Sequence, residues 1–315
     1  MGRLKSVFSW SFSAAEDFEQ CRRRRYWSKY AMWGGWEAGA SEVQKTAYRL
    51  NKMDNRWGLM GQAAERAIMW VLKEHQAGVK VSGEEAWRTV ARPFLTQKWT
   101  ESLEERWREN PKQFCCLREH YYERLEDDNA AKREIADQVK RCIDNFITIF
   151  LPRFEGVKAA QEIRIDTPDT PGDSEHFLYE GVKVYAIPDY VYRVGEQLHI
   201  HDWKAGRMKP EQHRLQLSTY ALWAMVKYGA IPENIFLYVE YLNEGKVLPF
   251  QLRAEELEET KQFLSESVGE MSEYLVDFDR ERNEALSKEE WELAPDPKQC
   301  LQCNFYELCQ PELEA

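Results

Sequence analysis

Asp189, Asp202 and Lys204 are the residues of this chain whose types and spacing first suggest chemistry. They lie in two strand-like runs, GVKVYAIPDYVYR at 181–193 and QLHIHDWKAG at 197–206, separated by Gly195–Glu196. A glycine in the first turn position suits a two-residue type II′ hairpin that pairs Val194 with Gln197, so that paired residue numbers sum to 391. Asp189 and Asp202 obey that sum and fall opposite each other, with Cβ atoms about 4.5–5.5 Å apart. Like charges so placed repel. The pair becomes favourable only with a cation between the carboxylates or a proton on one of them. Alternation puts Lys204 on the face of Asp202 and turns His199, His201 and Trp203 to the other side. Two carboxylates with a lysine suit Mg²⁺ or Mn²⁺, hard ions that take oxygen ligands and can orient and acidify an attacking water. The lysine then stabilises developing charge or positions that water. An isolated D-x-K is an ordinary solvent-facing ion pair in most hairpins; here the register gives it weight.

Other groups join them. Glu65 falls on the apolar stripe of its helix with Gly61, Ala64, Ile68 and Leu72, so its carboxylate points at the core and needs a partner, either a metal or a buried arginine. Gln216 and Tyr220 lie four apart on a helix and share a face, from which they can reach a substrate together, although core packing also accounts for a tyrosine there. Cys300, Cys303 and Cys309 form a C-x2-C-x5-C cluster in the polar stretch QCLQCNFYELCQ, and Cys21 lies far upstream in SFSAAEDFEQC. Four such thiolates can enclose one iron–sulfur cluster or one zinc and staple distant parts of the chain together. The histidines of HIHD and His213 read as packed or solvated side chains, Glu162 as a solvated carboxylate, and Cys115 and Cys116 as structural.

With 43% hydrophobic residues and 12 Trp, 15 Tyr and 14 Phe, the 315-residue chain can bury one large core or two modest ones. It has no apolar run of about 18 residues, and MGRLKSVFSWSFS lacks the continuous apolar stretch of a signal peptide, so a cytoplasmic protein without membrane contact is expected. Seven cysteines, an odd number, fit a reducing compartment better than a disulfide framework. A net charge of −11 argues against a nucleic-acid partner only superficially, because the charge is uneven. Residues 1–60 hold 11 Lys/Arg against 6 Asp/Glu, whereas 250–315 hold 6 against 18. The basic segment includes Arg22, Arg23, Arg24 and Arg25 in a row, readable as a solvated helix face or as phosphate contacts.

The elements that must position these groups follow from periodicity and punctuation. Ser13 and Glu16 form a capping-box pattern opening a helix that carries Cys21 towards Tyr30, WGGWEAGA at 33–40 reads as a loop, and Gly61 begins a second helix. Residues 82–150 are helical in period, broken at Pro93, Pro111 and Asp127–Asp128–Asn129. Strands are expected at QEIRID (161–166), in the two runs above, at NIFLYVEYL (234–242) and in the short VLPFQLR; a helix is expected from Pro210 to Lys227, and an acidic one over about 254–287. The expected organisation is an N-terminal helical segment with the first cluster cysteine (1–60), a first core helix (61–81), a helical insertion (82–150), an α/β core (151–290) and a cysteine segment (291–315).

IPD at 187–189, DWK at 202–204, QLSTY at 216–220 and GQAAE at 61–65 resemble, in order, the motifs of the RecB-type PD-(D/E)XK nucleases. The cysteine pattern is similar to that of the iron–sulfur branch holding the CRISPR-associated RecB-like exonucleases and the AddB nuclease domain. The resemblance implies an α/β fold with a mixed central sheet flanked by helices, and a 4Fe-4S cluster on Cys21, Cys300, Cys303 and Cys309 joining the N- and C-terminal segments, zinc being the alternative. It implies hydrolysis of DNA phosphodiesters with Mg²⁺ or Mn²⁺ held by Asp189, Asp202 and the backbone carbonyl of Trp203, with Glu65 standing where many members carry a metal-binding histidine. Lys204 maps to the catalytic lysine, and Gln216 and Tyr220 to the family's DNA-positioning QxxxY motif. Trp27 and Trp33, near the Arg run, offer rings that can stack on unpaired bases or pack in the core, and stacking would favour single-stranded ends. The expected activity is an exonuclease on single-stranded DNA or DNA ends. Its settings are repair or recombination, CRISPR adaptation with protein partners, or phage DNA processing. The contrasting class is a non-catalytic DNA-end-binding scaffold of the same fold.

Overall fold

The computed structural model describes residues 6–157, 161–165 and 175–314. Two sheets organise it. The smaller joins Ser9–Ser11 (β1), His176–Tyr179 (β3) and Val182–Tyr185 (β4) in the order β1-β4-β3, with β1 parallel to β4. The larger joins Glu162–Ile165 (β2), Tyr190–Val194 (β5), Gln197–Lys204 (β6), Ile235–Tyr241 (β7) and Lys246–Phe250 (β8) in the order β2-β5-β6-β7-β8. Within it β6 and β7 alone run parallel, and the connection that this demands is the helix Pro210–Tyr228 (α9 in the chain-order numbering used below). Gly229 ends α9 at φ +63°, a conformation that a side chain disfavours.

The helices are Phe12–Gln20 (α1), Arg22–Arg25 (α2), Glu42–Asn51 (α3), Arg56–Gln76 (α4), Gly83–Ala86 (α5), Arg92–Leu103 (α6), Arg118–Tyr121 (α7), Asp128–Asn145 (α8), α9, Ala254–Ser272 (α10), Pro297–Cys300 (α11) and Tyr306–Leu313 (α12). Period-two alternation splits the large sheet between two cores. Leu198 and Ile200 of β6 face a core shared with Phe12 and Phe18 of α1, Trp223 of α9 and Leu264 of α10. Trp203 faces the other core, with Ala64 and Ile68 of α4 and Val139 and Ile143 of α8. A third core gathers Trp27, Leu50, Trp107, Phe305 and Cys309 from segments far apart in sequence.

Several elements differ from their sequence reading. Ser11, not Ser13, caps α1, accepting from Ala14 N at 3.1 Å, and the helix stops at Gln20 because Cys21 is extended (φ −165°, ψ 111°). Arg23 N–H then donates to the Glu292 carbonyl instead of continuing the helix. The α4 helix begins at Arg56, five residues before Gly61, capped by Asn55. Pro93 breaks nothing: a wide π-helical turn over Trp87–Ala91 links α5 to α6 where an α-turn would clash with the ring. The run 181–193 is two strands in different sheets, separated at Ala186–Pro188, and the acidic helix ends at Ser272. Of QEIRID, Asp166 lies outside the described residues. Glu162 is not solvated: its Oε1 accepts from Tyr190 Oη at 2.7 Å and from Gln76 Nε2.

Ser102, His120 and Asp128 form a hydrogen-bonded chain (2.8 and 3.2 Å) with the residue types of a hydrolase triad. Ser102 is buried and its hydroxyl accepts from Leu117 N at 2.8 Å, so the trio clamps α6, α7 and α8 together and presents no free nucleophile.

Candidate active site

The β5–β6 hairpin has the expected register, from Val194↔Gln197 to Tyr190↔His201, and Gly195 turns it at φ +60°. The ladder stops one step short of the aspartates. Asp189 sits in a bend after Pro188, and its Oδ2 accepts the Trp203 backbone N–H at 2.6 Å, which ties it across the strand to the peptide joining Asp202 and Trp203. Asp202, 3% exposed, has Lys204 Nζ 2.6 Å from its Oδ2. Among the described residues no hydrogen-bond donor other than that ammonium reaches this oxygen.

Helix α9 closes the site from above. Tyr220 Oη lies 3.3 Å from both Asp202 Oδ1 and the Ile187 carbonyl, either of which accepts its proton, and Gln216 Nε2 donates to that hydroxyl at 2.9 Å. The four-residue spacing thus places both side chains over the β6 carboxylate. From the opposite side α4 brings Glu65, whose charge acts on Asp189.

The electrostatics follow from this crowding. Burial first, then the charges of Asp202 and Glu65, push Asp189 well above the usual carboxylate range, against the pull of Lys204 and the Trp203 N–H. Burial alone would discharge Lys204, but Asp202 and Asp189 outweigh it and raise its pKa, so the ammonium is firmly held. Tyr220 is raised well above the ordinary phenol value by burial and then by the same two aspartates, which keeps it a neutral donor. Sequence reading assigned Glu16 only to a helix cap, yet it is coupled to Lys204 and Lys209; burial raises its pKa most. His213, read as bland, donates to or accepts from Tyr241 Oη at 3.0 Å and is pressed down to about 4 by burial and then by Lys204. Neither was legible, because both reach the site from elements whose packing local pattern does not encode.

On the far face of β6 the histidines are structural. Glu240 is fully buried and accepts from Trp203 Nε1 (2.6 Å) and Arg153 Nη1 (2.8 Å), with His201 Nδ1 at 3.1 Å. A buried carboxylate with three partners is stable without a metal.

Each arginine of the run makes contacts within the protein, and one of them is buried. Arg23, 4% exposed, donates to the Trp291 carbonyl at 2.7 Å and to both Glu312 oxygens at 2.8 Å, which removes it from the substrate-contacting set. Arg22 donates to the Phe18 carbonyl at 2.9 Å, Arg24 pairs with Asp17 at 3.0 Å, and Arg25 reaches the Ser9 carbonyl at 3.5 Å. Trp27 is core as well, 4% exposed.

Cys21, Cys300, Cys303 and Cys309 line one cavity of about 480 Å³. Three of the sulfurs accept N–H groups: Cys21 from Arg24 N (3.4 Å), Cys303 from Phe305 N (3.4 Å) and Cys309 from Trp27 Nε1 (3.3 Å). Donors aimed at sulfur are what a ligating thiolate needs around it. Cys115, Cys116 and Cys142 lie elsewhere, buried, their thiols pushed up to about 12 chiefly by burial. Among the described residues no three His, Cys, Asp or Glu side chains close on a single metal-ion position, either here or at the aspartates.

A mixed sheet flanked by helices thus carries Asp202 and Lys204 on its hairpin, with Asp189 just beyond the ladder beside them. The family model of the PD-(D/E)XK nuclease superfamily matches residues 9–310, and the chain belongs to that superfamily. No curated protein matches the chain. Among the described residues no helix is long and apolar enough to cross a membrane.

Proposed function

We propose that the protein is a divalent-metal-dependent DNA exonuclease of the RecB-like iron–sulfur branch of its superfamily, acting on single-stranded DNA or DNA ends. The carboxylate charge that Asp202 and Glu65 bring to bear on buried Asp189 supports this reading, since such repulsion is a poor structural device and a hard cation relieves it. Asp189, Asp202, Glu65 and the Trp203 carbonyl would hold Mg²⁺ or Mn²⁺, which when bound supplies an acidified water and neutralises phosphate charge. Lys204, held protonated by the two aspartates, presents its ammonium to charge developing on the phosphate oxygens. Tyr220 stays protonated, and with Gln216 offers neutral donors for orienting the DNA backbone. The Trp203 N–H fixes the Asp189 carboxylate against rotation. The four cysteines would hold a 4Fe-4S cluster, supported by their shared cavity and by the N–H donors on three sulfurs.

The test is cleavage of end-labelled single- and double-stranded DNA by anaerobically purified protein with Mn²⁺, Mg²⁺ or EDTA, beside Lys204→Ala. A metal-dependent ladder growing from one end, lowered at least ~100-fold by the substitution, is expected. Tight DNA binding without cleavage under all metal conditions would replace the enzyme with a scaffold of the same fold.

A further inference from the structure

The loop at 33–38, helix α3 and the segment 107–112 enclose an open groove of about 940 Å³ whose walls are aromatic and basic. Two glycines build the loop. Gly34 turns at φ +83°, and Gly35 lies so close to α3 that a Cβ there would stand 2.3 Å from the Gln44 carbonyl and 2.5 Å from Tyr48 Cβ. That close approach carries Trp36 onto Tyr48 (ring centroids 5.5 Å) and Trp33 onto Trp36 (5.2 Å), both edge-to-face, and leaves Trp36 43% exposed. The Trp36 ring therefore rests on two neighbouring rings while much of its surface stays in solvent.

Five cations line the groove beside these rings: Lys45, Arg49, Lys52, Arg108 and Lys112. Lys45 is paired with Glu42 and Arg108 with Glu105, and Glu37 and Glu109 are the groove's own carboxylates. Lys52 and Lys112 both line the groove, and Lys52 Nζ lies 5.5 Å from the Tyr48 ring centroid; burial, then the charge of Lys112, lowers the pKa of Lys52. Arg49 keeps a buried Nε with no hydrogen-bond partner among the described residues. One exposed ring flanked by half-buried ones, next to mutually repelling cations, is what successive bases and phosphates of an unpaired strand would satisfy.

We propose that this groove is a second, non-catalytic site for single-stranded DNA, in which bases stack on Trp36 and its neighbouring rings while phosphates sit between Lys52 and Lys112. The site shares its ligand with the proposed nuclease reading, but it stands on its own residues and is tested without metal. A labelled dT oligonucleotide is titrated into the full-length protein in EDTA, where cleavage is silent, with fluorescence anisotropy and tryptophan quenching as readouts. Trp36→Ala should weaken binding about 10-fold and remove most of the quenching, and Trp36→Phe should restore the affinity. Lys52→Ala with Lys112→Ala should lower the slope of log affinity against log salt by ~1.4, and an abasic oligonucleotide should bind about as weakly as dT binds to Trp36→Ala. The site is overturned if both variants keep the parent's affinity and salt slope while retaining its melting temperature, or if blunt duplex binds as well as dT and is equally sensitive to Trp36→Ala. Absence of metal-dependent cleavage by the parent protein with intact dT binding would count against the nuclease reading and leave the groove standing.

Discussion

Asp189 shows how function and stability are set against each other in single side chains. Its carboxylate lies among two others, and only a proton, a metal or Lys204 relieves the repulsion. Asp189→Asn keeps an oxygen for the Trp203 N–H and removes one charge. We expect this variant to lose cleavage and, without divalent metal, to melt about 2 °C or more above the parent at neutral pH, as seen by calorimetry. A lower melting temperature would mean that the carboxylates are not in conflict. The register that brings Asp189 to Asp202 was legible because turn chemistry and period-two alternation are local rules. Glu16 and His213 escaped because their closeness to Lys204 depends on how α1 and α9 pack over the sheet.

At the scale of elements, the large sheet carries an aromatic column in which His199 lies flat between Tyr192 (centroids 4.7 Å, 7°) and Phe236 (5.1 Å, 13°). Burial, then the neighbouring His201, presses His199 down to about 4 from an ordinary 6.5. The folded sheet therefore holds it neutral while the unfolded chain protonates at the ordinary value. Stability from this group is present above pH ~6.5, is lost as the pH falls towards ~4, and changes no further below that. His213 acts in the same direction, and Asp189, whose folded pKa is raised, acts in the opposite one. A His199→Phe variant keeps the stacking and should lose less of its melting temperature than the parent between pH 7 and 4; parallel curves would remove His199 as a source of acid sensitivity. Strand composition alone could not reveal that Val182–Tyr185 and Tyr190–Val194 belong to different sheets, because both read as strand and the deciding partner, β1, is three residues long and distant in sequence.

Across the whole molecule, the third core and the cysteine cavity bind residues 21–32 to residues 291–313. Cys21→Ala removes one wall of that cavity. It should cut metal content from about four irons per chain to well below one, bleach the visible absorbance and lower the melting temperature by about 5–10 °C. Stoichiometric zinc in colourless parent protein would replace the cluster with a zinc staple, and unchanged metal in the variant would remove Cys21 from the ligand set. The burial of Arg23 was not legible for a reason of the same scale: a charged residue looks alike in sequence whether solvated or paired, and the partner of Arg23 is Glu312.

That ion pair also fixes an order of events during synthesis. Arg23 and Trp27 leave the ribosome before their partners: Trp291 and Glu312 lie 268 and 289 residues behind Arg23, and Cys309 lies 282 behind Trp27. At about 5–20 residues per second the early segment waits roughly 15–60 s with a buried-type arginine, a core tryptophan and a reactive thiol in open water. In that interval Cys21 has no cavity and Trp27 no core, so this segment stays open to oxidation and to chaperones until Tyr306–Leu313 arrives to close it.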